Sequence, residues 1–90
     1  MEIDKLQLLI LTILEESGAT TPGTGMTLKE ISNEVNDGGD HLYAQITINR
    51  KVHALRDGGY ITSKMKTNRA DMFYILDKGE NIREVLLNGK

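Results

Sequence analysis

Apolar side chains recur along this chain at helical spacing as far as Asp57 and in alternation from Tyr60 to Lys66, so the sequence reads as helices followed by strands and a last short helix. The first helix is predicted from Asp4, a residue suited to the N-cap, to Ser17, with Gly18 as its stop signal. Ile3, Leu6, Leu9, Ile10, Ile13 and Leu14 form its core stripe. Leu8 and Leu11 fall off that stripe, on a side expected to face water. Either they cover a neighbouring loop, or they make a dimer contact, the common use of an apolar patch on a small domain. Residues 18–25, dominated by Gly, Thr and Pro, lack any periodicity and are expected to be a loop.

The second helix has a clear start. Thr27-Leu28-Lys29-Glu30 fits the capping box, in which the threonine oxygen accepts a backbone N–H and the glutamate reaches back. Leu28, Ile31 and Val35 follow as its apolar face, and it ends near Asn36. Asp37-Gly38-Gly39-Asp40 is a turn signal. The third helix is predicted from His41 or Leu42 to Asp57. Its core side carries Ala44, Ile48, Val52 and Leu55, and its other side carries Tyr43, Ile46, Thr47, Asn49, Arg50 and His53. Gly58 and Gly59 end it, one of them in a left-handed cap. Tyr60 to Lys66 alternates as a strand, Thr67-Asn68-Arg69-Ala70 is a polar connection, and Asp71 to Leu76 is a second strand, giving a hairpin. Asp77 and Glu80 are expected to cap a last short helix through Ile82, Val85 and Leu86 to Asn88.

The length, 90 residues, suits one compact domain spanning residues 1–90. With no cysteine there is neither a disulfide framework nor a thiolate metal site. The N-terminus has no pattern of a cleavable secretory signal. The longest apolar run, Leu8 to Leu11, is too short to cross a bilayer, so a soluble cytoplasmic protein is expected. The formal charge of −2 is unevenly spread. Between Asn49 and Arg69 the chain carries Arg50, Lys51, Arg56, Lys64, Lys66 and Arg69 against Asp57 alone, a balance of +5, which leaves −7 for the rest. Such a segment is either a solvated face or a surface for a polyanion.

The predicted order is helix, helix, turn, helix, hairpin, helix: an α+β winged helix-turn-helix of three helices, a two-stranded β wing and a short C-terminal helix. Two stretches carry a family resemblance. Ile48-Asn49-Arg50-Lys51-Val52-His53-Ala54-Leu55-Arg56-Asp57-Gly58-Gly59-Tyr60-Ile61 resembles the recognition helix and exit of winged-helix regulators of the MarR and PadR groups. Phe73-Tyr74-Ile75-Leu76-Asp77-Lys78-Gly79-Glu80 is similar to the end of their wing. The turn between helices two and three is longer and more acidic than the tight turn usual in such units. The resemblance implies a homodimer, which here relies on helix one because the terminal helix is short, and it also implies phosphate contacts from Thr27 and Lys29 at the start of helix two.

On this reading the third helix enters the major groove. Arg50 suits guanine, Asn49 adenine, Thr47 a phosphate or base, and Ile46 a thymine methyl, with Tyr43 and His53 on the same side. Lys64, Lys66 and Arg69 on the wing suit phosphates or the minor groove. Each has a plainer alternative: Arg50 pairing with a carboxylate, Tyr43 packing over the turn, His53 lying at the surface, Lys51 snorkelling at the core edge. Two histidines on different sides of one helix make no metal pair, and no nucleophile motif or phosphate loop is present, so neither an enzyme nor a metal or other cofactor is expected. The expected function is sequence-specific binding of double-stranded DNA by a homodimeric transcriptional regulator, a repressor; the alternatives are a winged helix used for protein–protein interaction and, still within DNA binding, a plasmid or phage protein for partition or replication control.

Overall fold

The computed structural model describes residues 2–37, 41–65 and 70–89. Helix α1 spans Lys5–Glu16 and is closed at its start by a reciprocal pair: the Gln7 N–H donates to the Asp4 carboxylate at 2.8 Å and the Asp4 N–H to Oε1 of Gln7 at 3.1 Å. Ser17 caps its end and Gly18 follows with φ +75°. Helix α2, Leu28–Asn36, starts with the expected capping box between Thr27 and Glu30. Helix α3 spans Gln45–Asp57, strands β1 and β2 span Ile61–Met65 and Asp71–Ile75, and helix α4 spans Asp77–Leu87.

The strands pair antiparallel, with Ile61 opposite Ile75, Ser63 opposite Phe73 and Met65 opposite Asp71. Because side chains alternate across a strand, Ile61, Phe73 and Ile75 lie on the inner face, where all three are buried. There they join Ile10, Leu11 and Leu14 of α1, Ile31 of α2, and Ile48, Val52 and Leu55 of α3 in one core. The result is an α+β winged helix-turn-helix.

Residues 18–25 are more ordered than their composition implies. Pro22–Thr24 form a 3-10 turn, and the segments on either side are stitched to β2. The Ile75 N–H donates to the Ala19 carbonyl at 2.8 Å, while Met26 and Phe73 exchange backbone hydrogen bonds of 2.8 and 2.7 Å. The free edge of β2 is thereby used, which a local reading of hydrophobic periodicity has no means of detecting.

The core stripe of α1 is rotated from the predicted one. Leu11 has no accessible surface, whereas Leu9 is 37% exposed. The cause is that α1 lies in the middle of the molecule, packed against α2, α3, α4 and β2, so more of its circumference is covered than one stripe provides. Leu11 therefore has no surface to offer a second chain; Leu8 is half-buried. The last helix also differs at its start. Leu76, not Asp77, is the N-cap, no side chain caps it, and Asp77 and Glu80 instead place negative charge in its first turn.

The two stretches that carry the family resemblance interlock. Gly59, at φ +80°, takes the left-handed position after α3, with its N–H on the Arg56 carbonyl and the Tyr60 N–H on that of Leu55, each at 3.0 Å. Lys78 returns from α4 to donate to the Gly58 carbonyl at 2.7 Å, its ammonium 4.4 Å from the centre of the Tyr60 ring. Gly79 packs so closely that a Cβ there would lie 2.2 Å from the Tyr60 carbonyl oxygen.

Candidate nucleic-acid interface

The start of α3 is fixed by the end of α2. Asn36, the last residue of α2, receives the Tyr43 N–H on its Oδ1 at 2.9 Å and donates from Nδ2 to the Tyr43 carbonyl at 3.1 Å. The two hydrogen bonds tie the segment just before α3 to the end of α2. Ala44 is extended, at φ −65° and ψ 147°, and α3 begins at Gln45, later than the predicted His41 or Leu42. Tyr43 is not on the helix; its half-buried ring packs against the core, with the His41 ring edge-on at 4.5 Å. Ala44, expected in the core, is the exposed N-cap. Gly38, Gly39 and Asp40 lie outside the described residues.

With Ile48, Val52 and Leu55 wholly buried, the opposite side of α3 is its solvent face. Ile46 and Arg50, one turn apart, dominate it: Ile46 is 62% exposed, and Arg50 is exposed and forms no ion pair among the described residues. The other predicted contact residues are less available. Asn49 is half-buried and its Oδ1 accepts from Nε2 of Gln45 at 2.7 Å; Thr47 is half-buried on the flank. His53 turns toward the wing, its ring edge-on to Phe73 at 6.1 Å. Gln45 and Leu42 are further exposed side chains that the helical period does not single out. Gln45 is exposed on the first turn of α3, and Leu42, 70% exposed, stands just before it.

The basic segment divides into engaged and available cations. Lys51 forms an ion pair with Asp4 rather than snorkelling, which ties α3 to the N-terminus of α1. Partial burial opposes ionisation of Asp4, but the Lys51 ammonium and the Gln7 N–H outweigh it and hold the carboxyl below its ordinary value. Arg56 donates to Oγ of Ser63 at 3.2 Å, lies 3.8 Å from the Asp71 carboxylate and stacks 5.9 Å over the Phe73 ring, so it fastens α3 to the wing. Arg50 and Lys64 are the exposed cations of this segment among the described residues. Lys64 lies opposite Met72, on the hairpin face turned away from Ile61 and Phe73. Lys66 and Arg69, expected at the wing tip, fall outside the described residues. At the start of α2, Lys29 is exposed, while the Thr27 hydroxyl is committed to capping and accepts the Glu30 N–H at 3.1 Å.

Comparisons with known proteins bear on the fold. No family model and no curated protein matches the chain. Among solved structures, the solution structure of the DNA-binding TubR fragment from Clostridium botulinum aligns over 96% of this chain and 99% of that one. The TM-score is 0.71 at 22% sequence identity, so the two share a fold.

Proposed function

We propose that this chain binds double-stranded DNA in a sequence-specific manner, as a homodimer with one α3 per half-site, and acts as a transcriptional regulator of the repressor kind. The observation that carries the reading is the solvent face of α3, where an exposed arginine with no ion pair among the described residues stands one turn from an exposed isoleucine. A helix of this width fits the major groove, and these two side-chain types suit guanine and thymine edges there. The likeness to a DNA-binding fragment supports it. The runs Ile48–Ile61 and Phe73–Glu80 support an affinity with MarR- and PadR-like regulators.

Lys64 and Lys29 supply phosphate contacts in this reading, with Lys66 and Arg69 added from the sequence. The dimer draws on the α1 and α4 side, where Leu9, Val85 and Leu87 are exposed beside half-buried Leu8. The test is retention of random duplexes by the purified protein at two salt concentrations, followed by sequencing. A two-fold symmetric motif whose affinity falls with salt supports the reading. Clustered repeats of one half-site replace the operator by a partition-type array, and no retention at either salt removes DNA from the account.

A further inference from the structure

Leu42 and Ile46 are the two most exposed large apolar side chains of the helix-turn-helix, at 70% and 62%, and they stand four residues apart across the start of α3. Neither is a loose end. Ile46 is in the first turn of α3, and Leu42 adjoins Tyr43, whose backbone is hydrogen-bonded at both its N–H and its carbonyl to Asn36. Two aliphatic side chains held in water on a fixed backbone are a standing cost that a partner would relieve.

The chemistry around the pair selects the partner. The first turn of α3 has no acidic residue and no side-chain cap, so its positive end is open. Arg50 follows one turn after Ile46 on the same face. A surface that is apolar at its tip and cationic behind it matches the major groove of thymine-containing DNA, where the C5-methyl is the apolar group exposed among polar base edges and phosphates. We infer that Leu42 and Ile46 read thymine through its methyl group, so that half-site specificity rests on methyl contacts in addition to hydrogen bonds from Arg50. This rests on the DNA-binding reading above.

The experiment uses the duplex enriched by the random selection, with thymines replaced one at a time by deoxyuridine. That change removes the methyl and preserves the hydrogen-bonding edge. At one or two thymines per half-site the substitution is expected to weaken binding about fourfold, the effect of losing one buried methyl-sized group. Leu42→Ala and Ile46→Ala, both exposed and expected to fold, should each lose the discrimination at one of those positions while still binding the duplex. Equal affinity for thymine and deoxyuridine at every position overturns the inference and leaves DNA binding standing. Discrimination that survives in both variants, or an enriched site without thymine, overturns it equally. Failure of the unaltered protein to bind any duplex removes the DNA-binding reading itself.

Discussion

The side-chain amide of Asn36 holds the backbone of Tyr43 at both its N–H and its carbonyl, across seven residues and the whole turn between α2 and α3. One side chain thus fastens the segment that leads into α3 to the end of α2. Asn36→Ala should lower stability by about 1–3 kcal/mol, the usual cost of leaving partly buried polar groups unmet. The Tyr43 amide should exchange with deuterium faster than the amides of the α3 core. Asn36→Asp provides a second check, since its carboxylate accepts from the Tyr43 N–H but cannot donate to the carbonyl. It should fall between wild type and alanine in a denaturant titration. An alanine variant as stable as the parent would mean that the turn is held elsewhere.

Gly79 is demanded by space. A Cβ there would lie 2.2 Å from the Tyr60 carbonyl oxygen and 2.8 Å from Cγ1 of Ile75, and backbone cannot yield as a flexible side chain can. Gly79→Ala should destabilise the protein by about 1–3 kcal/mol or more through overpacking. Gly23→Ala, where the nearest atom lies at 3.9 Å, should be nearly neutral. Thermal melts of the two variants side by side test the contrast.

What the sequence made legible follows the range of the interactions. Thr27 with Glu30, Gly59 after α3 and the alternation from Ile61 are local signals, and each appears where local chemistry predicts it. Asn36 acting on Tyr43, Ala19 and Met26 on β2, and Lys51 on Asp4 are contacts between distant positions, which periodicity does not encode. The candidate site shows the same division. The outward direction of Ile46 and Arg50 follows from the helix period, whereas the engagement of Lys51 and Arg56 depends on partners in other elements. The start of α3 is less legible: His41 to Ala44 contains no helix breaker, and the Asn36 amide that holds Tyr43 is seven residues away in sequence.

The rotated core stripe of α1 gives a direct test. Leu11→Ala should cost about 2–5 kcal/mol, as for a fully buried leucine, and Leu9→Ala should change stability little. Chemical denaturation of both variants measures the difference. A neutral Leu11→Ala together with a costly Leu9→Ala would restore the stripe read from the sequence.

Acid should loosen the junction of α1 and α3. The Asp4 carboxyl is held below its ordinary value of 3.8 because the folded state favours its ionised form. Its contribution is therefore fully present above the unfolded value and is lost as the pH falls through the lower folded value. Asp4→Asn keeps an oxygen that can accept the Gln7 N–H but removes the charge facing Lys51. The difference in stability between wild type and Asp4→Asn should be greatest near neutral pH and shrink below about pH 4. A difference that is flat across that range would show that the charge contributes nothing.

Arg50 and Arg56, six positions apart on one helix, should separate recognition from architecture. Arg56 is bound to Ser63, Asp71 and the Phe73 ring, so Arg56→Ala should lower the melting temperature and weaken binding to specific and scrambled duplexes alike. Arg50 has no ion pair among the described residues and stands in solvent, so Arg50→Ala should leave the melting temperature unchanged. Its loss should weaken binding to the enriched duplex by about 1–3 kcal/mol and relax the preference at one base pair. Melting curves and titrations against both duplexes distinguish the two arginines. If Arg50→Ala weakens both duplexes by the same factor, Arg50 is a phosphate contact; if it weakens neither, the solvent face of α3 is not the reading surface.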